Sequence, residues 1–508
     1  MFQAAAIANR DKRAVDVRVC RDDHSIWLDL GDDDWTLIRI TTDGWKVMPS
    51  PIAPLIRPNG MRALPMPKRD PDALGKLRRL LNLTEGTAGD NDFRLIVGWL
   101  VAALMPSGPY ALLALDGEQG SGKSTAAKML RNLVDPNLAA HRAPPRNEDD
   151  LLIAATNGRV VAIDNVSVVQ PEMADALCRL ATGAGFSKRR LYTDAEEHIV
   201  SIARPVLLNG IPSLLARGDL ADRALAVTLP AIPDDRRKTE AQVWADFEAA
   251  TPGILALLLD AVACVLRDMN RLELPRLPRM ADFARLACAA APVFGWKAED
   301  MLDAIESNRR TAVAAVVEAD AVGTALVALM HGRSAAWQGT ATELLAALAA
   351  HVPEAAQKER GWPKDGTRLS ARLRRVVPAL RRSGLTVDMP NGGGRDGRRI
   401  TVWTSAEKDS ERSQRSVGPL SDKPLETGEI FGTLPASPSV PAQPVALRRK
   451  MPERWRPSRN AAELASVTPN TLKSFGNNAD SAGNADPGLL ATPADQGGPD
   501  TPPWTGTI

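Results

Sequence analysis

At 508 residues, with 63 Lys and Arg against 61 Asp and Glu, the chain carries a formal net charge of only +2. That balance excludes a polycation as a whole, so any nucleic-acid contact must come from local patches. A hydrophobic share of 44% supports a sizeable core, and the length predicts two or three domains. Cys20, Cys178, Cys264 and Cys288 are scattered without a Cys-x-x-Cys pair, and the five histidines show no metal-ligand spacing. This argues for a reducing compartment and against a zinc ribbon. Residues 1–15 mix alanines with Arg10, Asp11, Lys12 and Arg13 and lack the apolar core of a signal peptide. Residues 95–105 are too short to cross a membrane, and residues 254–266 carry Asp260 and read as a buried helix. A cytoplasmic protein without membrane contact is expected.

Residues 14–50 alternate apolar and polar side chains (Val15, Val17, Val19; Ile26, Leu28, Leu30; Ile38, Ile40), which predicts a small β meander. Its acidic clusters lack EF-hand spacing and read as turns. Prolines at 49, 51, 54, 58, 65, 67 and 71 mark a linker. A short basic helix is predicted over 72–83, then an apolar helix over 93–105 capped by Asn91 or Asp92.

Residues 111–115 form an apolar run that reads as a buried strand, followed by Asp116-Gly117-Glu118-Gln119-Gly120-Ser121-Gly122-Lys123-Ser124-Thr125. Gly117, Gly122, Lys123 and Ser124 fit the pattern Gly-x-x-x-x-Gly-Lys-[Ser/Thr], and a helix is predicted over 123–134. Glycines let successive N–H groups face one anion, and the helix N-terminus adds partial positive charge. Lys123 is placed to reach β- and γ-phosphates, and the Ser124 hydroxyl to hold Mg²⁺. A polar loop (138–148) and a short helix (149–156) follow. The run Val160-Val161-Ala162-Ile163-Asp164-Asn165 then reads as a strand ending in a carboxylate, about forty residues beyond the loop, where an Asp holds Mg²⁺.

A helix is predicted over 171–184. Residues 185–193 and 199–202 can pair as a hairpin whose first arm carries Lys188, Arg189 and Arg190. Residues 206–210 form a third buried strand ending in Asn209, which either orients water or closes an ordinary Asn-Gly turn. Arg223 precedes an alternating strand over 224–229, as a surface ion-pair partner or as an arginine finger to a neighbouring subunit. Residues 238–330 are alanine-rich and helical.

Residues 337–404 read as a winged helix, with helices over 341–351 and 367–383, the second interrupted or kinked at Pro378, and strands over 385–389 and 399–403 around a glycine-rich wing. Between residues 366 and 400 stand nine arginines and two aspartates, an excess suited to phosphates. Arg372, Arg375, Arg381, Arg382 and Arg398 are the duplex-contacting candidates. From about residue 405, Pro, Ser, Thr, Gly, Asn and Asp dominate, and a disordered tail is expected. Its cluster Arg448-Arg449-Lys450 is a further basic patch.

The order of these features resembles the superfamily 3 helicases, ring-forming ATPases of the AAA+ class. It resembles in particular phage- and poxvirus-type primase-helicases and the "ATP-binding proteins" of phages and integrative elements. The likeness rests on residues 115–125, 162–165, 181–194, 204–211 and 219–223 and spans about 75–270. It implies an α/β, three-layer P-loop AAA+ core, a parallel sheet with flanking helices. The expected domains are a β-rich N-terminal region with its linker (1–70), the ATPase core (71–236), a helical extension (237–330), the winged helix (331–404) and the tail (405–508).

The resemblance further implies that Gly117, Glu118, Gln119, Gly120, Ser121, Gly122, Lys123, Ser124 and Thr125 bind ATP, with Ser124 and Asp164 holding Mg²⁺. Asn209 matches the sensor-1 asparagine. Arg223 matches the trans-acting arginine, with Arg217 second. Lys188, Arg189 and Arg190 match the hairpin that tracks single-stranded DNA through the pore of a homo-oligomeric ring such as a hexamer. Other replication proteins are implied as partners.

One departure concerns catalysis. Where many AAA+ proteins place a Glu after the Asp, this chain has Asn165, which orients water but takes no proton. Glu118 is a stand-in base. The sequence therefore carries two readings. One is a replication motor of a mobile element, and the other is a non-translocating, ATP-dependent DNA-binding switch or loader.

Overall fold

The computed structural model describes residues 15–49, 53–189, 197–210, 218–333, 335–359, 361–389 and 399–404. The tail expected from residue 405, Arg190, Arg217 and Arg398 lie outside them.

Strands β1 (Asp16–Val17), β2 (Val19–Arg21), β3 (Ile26–Asp29), β4 (Leu37–Thr41), β5 (Gly44–Met48) and β6 (Leu55–Ile56) build the N-terminal region. The sheet β2-β3-β4-β5 is an antiparallel meander, and β1 pairs with β6 in parallel. Val19, Ile26, Leu28, Ile38 and Ile40 are buried, which is the alternation visible in the sequence. Between β1 and β2, Arg18 adopts φ +66 and is fully buried. Its guanidinium donates to the carbonyls of Asp29, Leu30, Arg62 and Pro136 and to Asp135 Oδ1 at 3.3 Å. A buried cation persists only when so satisfied, and this one ties the meander to the segment just past the helix that follows the glycine-rich loop.

Helices α1 (Ala73–Leu80) and α2 (Thr87–Ala103) lead to β7 (Leu112–Gly117) and α3 (Lys123–Asn132). The sequence places the start of α2 at residue 93 with a cap at Asn91 or Asp92. The helix instead begins at Thr87, after Gly86 at φ +79, and both residues lie inside it. The apolar period revealed only the buried part, from Phe93 onward.

After α4 (Glu148–Thr156) come β8 (Val161–Val166), α5 (Pro171–Thr182), the antiparallel hairpin β9 (Phe186–Arg189) and β10 (Glu197–Val200), β11 (Val206–Gly210), α6 (Gly218–Ala221) and β12 (Ala224–Leu229). The central sheet has the order β12-β7-β11-β8, with every pairing parallel. Its strands feed two separate apolar cores by strict alternation. Leu113, Leu115, Ala162 and Leu207 join a core with α2 and α3, while Leu112, Ala114, Val161, Ile163, Val206 and Leu208 join one with α4 and α5. This is a three-layer arrangement, and it explains why the strands read as continuous apolar runs.

Helices α7 (Glu240–Asp268), α8 (Ala281–Ala290), α9 (Ala298–Glu318) and α10 (Ala321–Met330) follow. Helix α7 is long and apolar enough to cross a membrane, and 72% of its most apolar window is buried within the molecule. Its Asp260 accepts from Trp45 Nε1 at 3.0 Å and from Arg69, which packs α7 against the meander.

The last elements are β13 (Trp337–Thr340), α11 (Ala341–Ala349), α12 (Glu354–Lys358), α13 (Gly366–Arg382), β14 (Leu385–Asp388) and β15 (Arg399–Thr404). The sheet order is β13-β15-β14, antiparallel. The sequence reading contained neither β13, four residues long and half polar, nor α12. Helix α13 runs through Pro378 without interruption. Asp365 caps it, accepting from Arg368 N at 2.8 Å.

Candidate active site

Four parallel strands place their C-terminal ends on one edge, where open α/β sheets hold ligands. At the end of β7 the chain turns through Gly117 (φ +141), Gly120 (φ +82) and Gly122 (φ +80), and α3 starts at Lys123. At Gly117 a Cβ would stand 2.2 Å from the Leu229 carbonyl oxygen, so only glycine fits between β7 and β12. Glu118, Gln119 and Gly120 are exposed, and Ser121 is buried. The Lys123 ammonium donates to the carbonyls of Gly117 and Glu118, both at 2.7 Å, and to Ser121 Oγ at 3.3 Å. It thus stands at the mouth of the loop, beside Ser124 and Thr125 in the first turn of α3.

Asp164 and Asn209 converge on Ser124. Ser124 Oγ lies 3.2 Å from Asp164 Oδ1 and 3.0 Å from Asn209 Nδ2, which also donates to Asp164 Oδ1. Among the described residues, Asn209 Oδ1 is buried without a partner. The Ser124 hydroxyl and the Asp164 carboxylate are hard oxygens, and they fit a small divalent cation such as Mg²⁺. Among the described residues no cluster of three or more His, Cys, Asp or Glu side chains is arranged as a metal cage. Mg²⁺ commonly takes one or two protein ligands and completes its shell with water and phosphate.

Asn165 sits at a break in the strand register. Leu208 pairs with Ile163 and Gly210 with Val166, so Asp164 and Asn165 together oppose Asn209 alone, which is a β-bulge. Asn165 is the left-handed residue of that bulge (φ +55), and it is exposed. Its backbone N–H donates to Asp164 Oδ1 at 2.8 Å. The side chain following the carboxylate is therefore turned to solvent.

Two contributors were missed by sequence reasoning. His141 Nδ1 lies 2.9 Å from Asp164 Oδ2. Burial holds its pKa below the usual histidine value despite the opposing pull of Asp164, and because a carboxylate oxygen only accepts, Nδ1–H is the donor. Asn82 donates to the carbonyls of Ser121 and Pro230, tying the loop to the segment after β12. Neither belongs to a spaced motif, since His141 sits in a polar loop and Asn82 just past a basic helix. Beneath the loop, Asp116 and Asp92 face each other electrostatically. Burial, then Asp116, pushes Asp92 up to about 7, and burial raises Asp116 as well.

Arg223 stands at the other end of the sheet. Leu112 N donates to its carbonyl, and β12 then runs six residues before Leu229 meets Gly117. At about 3.3 Å per residue that is roughly 20 Å, beyond reach of the glycine loop in its own subunit. The neighbouring Asp222 is buried and accepts from Arg279 at 2.7 Å and from Arg382.

The basic helix α13 divides its charge. Arg382 is held by Asp222, and Arg372 by Asp320 at 2.9 Å and the Gly361 carbonyl at 2.6 Å. Arg368, Arg374, Arg375 and Arg381 are exposed. A cleft of about 630 Å³ beside the helix is lined by Lys358, Lys364, Arg368, Arg372 and Arg375, with no acidic residue among the described ones. The backbone positions of Lys188 and Arg189 lie on β9 of the hairpin.

Fold and site together define an α/β protein that presents a glycine-rich loop, a hydroxyl, a carboxylate and an amide at one edge of a parallel sheet. Two family models match the chain. That of the actinomycete integrative conjugative element replication protein matches residues 76–308, and that of the AICE RepA C-terminal domain matches residues 322–416. The chain is therefore similar to replication proteins of integrative elements over the central sheet, its helices and the C-terminal basic region. No curated protein matches it in sequence. Among solved structures, the apo NrS-1 C-terminal region is 11% identical over 74% of this chain and 95% of that one, with a TM-score of 0.34. The JCV helicase with a bound small molecule is 11% identical over 45% and 66%, with a TM-score of 0.25. Likenesses this loose bear on no assignment.

Proposed function

We propose that this chain is an ATP-dependent, helicase-like replication ATPase of an integrative element. The observation that carries the reading is the convergence of Ser124, from the first turn of α3, with Asp164 and Asn209, from the ends of β8 and β11, at the mouth of a loop that only glycine can form. In this reading the backbone N–H groups of residues 117–125 and Lys123 bind the triphosphate. Ser124 and Asp164 hold Mg²⁺, which supplies charge neutralisation at the phosphates. Asn209 orients water or the terminal phosphate.

Arg223, distant from its own loop, serves the neighbouring subunit's nucleotide in a ring. The hairpin bearing Lys188 and Arg189 contacts single-stranded DNA. Residues 331–404 act as a winged helix, with the order strand, three helices, two strands in support. The cationic cleft beside α13 takes duplex phosphates.

A second reading, a nucleotide-driven switch or loader, is favoured by Asn165. It is an amide, and it is exposed to solvent. Strand displacement separates the two. A motor unwinds a forked duplex with ATP and loses this with Lys123→Ala or Arg223→Ala. A switch binds DNA with ATP and unwinds nothing.

A further inference from the structure

The residue that fixes the carboxylate of Asp164 comes from outside every motif. His141 lies in the loop between α3 and α4, and the chain beside it is pinned to β8. Arg142 N donates to Ala162 O at 3.1 Å, and Asp164 N donates to Arg142 O at 2.9 Å. The loop thus runs as a one-residue parallel extension of the sheet, bridging Arg142 to Ile163. This places His141 Nδ1 2.9 Å from Asp164 Oδ2, with the side chain only 9% exposed.

The two oxygens of Asp164 are thereby divided. Oδ1 is shared by Ser124, Asn209 and the Asn165 N–H, and Oδ2 belongs to His141. A carboxylate turns easily about its terminal torsion. Held from the Oδ1 side alone, it can swing that oxygen away from Ser124. A ring donor on Oδ2, itself anchored through backbone hydrogen bonds to β8, prevents this. Outer partners of ligating carboxylates typically change metal affinity by about 10–100-fold when removed. Among the described residues, His141 Nε2 is buried without a protein partner, and the ring's hydrogen bond is the one to Asp164.

We propose that His141 is a positioning residue, which locks the Asp164 carboxylate so that Oδ1 faces the cation held with the nucleotide. This rests on the nucleotide-site reading above. The test is binding of a fluorescent, non-hydrolysable ATP analogue to the full chain, titrated with MgCl₂ and repeated in EDTA. The variants are His141→Leu, similar in volume but without a donor, and His141→Asn, which restores a donor.

His141→Leu is expected to raise the Mg²⁺ concentration for half-maximal binding about tenfold or more, with unchanged binding in EDTA. His141→Asn is expected to stay within about threefold of the native protein, on the same range of outer-partner effects. A Leu variant with a native Mg²⁺ midpoint overturns the proposal, as does one weakened equally in EDTA. Should the Leu variant fail to fold, a folded Asn variant shifted about tenfold overturns it on the same scale. A native protein that binds no analogue overturns the nucleotide-site reading itself, and the inference with it.

Discussion

The glycine loop before α3 and the arginine-rich helix α13 both present groups suited to phosphate, and they encode them differently. In the loop, function lies in spacing. Gly117, Gly122, Lys123 and Ser124 each need a fixed offset, and the folded chain brings Asp164 and Asn209 to them. In α13, the sequence offers a count of charges without direction. Two of those charges, Arg372 and Arg382, are spent on Asp320 and Asp222 inside the molecule. Spacing dictates geometry, whereas a charge excess only limits how many groups remain for a partner.

The comparison breaks most visibly at Gly117. Gly117→Ala drives a Cβ against the Leu229 carbonyl at 2.2 Å, in a left-handed conformation. Backbone cannot yield cheaply there, so a loss of about 3 kcal/mol or more in stability is expected, read by urea unfolding. Nucleotide binding is expected to fall with it.

Asp222→Ala is next. It strips a buried carboxylate from Arg279 and Arg382, whose side chains are 49% and 24% exposed. Breaking such a pair typically costs 3–5 kcal/mol. Because both arginines can turn to water, about 3 kcal/mol is expected, with Arg382→Ala costing less.

A pH effect follows from Asp92, whose pKa rises to about 7 through burial first and Asp116 second. A carboxyl with a raised folded pKa stabilises the fold below its unfolded value, about 4, and loses that contribution as pH rises through the folded one. Melting temperature is therefore expected to fall between about pH 4 and pH 7. Asp92→Asn is expected to flatten that slope.

The smallest effect sharpens the contrast within α13. Arg375→Ala, exposed in the cleft, should leave stability within about 0.5 kcal/mol and lower the salt dependence of duplex binding by about one unit of slope. Arg372→Ala should instead lower the melting temperature, because it releases Asp320 and the Gly361 carbonyl.

Much of the central sheet was legible because its strands are buried on both faces and so read as short apolar runs. The meander was legible for the opposite reason, a clean alternation from one buried face. What escaped was set by long-range contacts. The start of α2 depends on Gly86, not on the apolar period. The strand β13 exists because β15 pairs with it. His141 is brought to Asp164 by the backbone bridge at Arg142, and no local pattern announces that. The outward turn of Asn165 follows from a bulge, which a strand read from one sequence does not reveal.

The most direct measurement is calorimetric titration of the full chain with ATP in MgCl₂, beside Lys123→Ala. Saturable binding by the native protein, weakened tenfold or more (about 1.4 kcal/mol) in the variant, is the predicted result. No binding by the native chain, or equal binding by Lys123→Ala, would contradict the assignment of the loop and its three converging side chains as a nucleotide site.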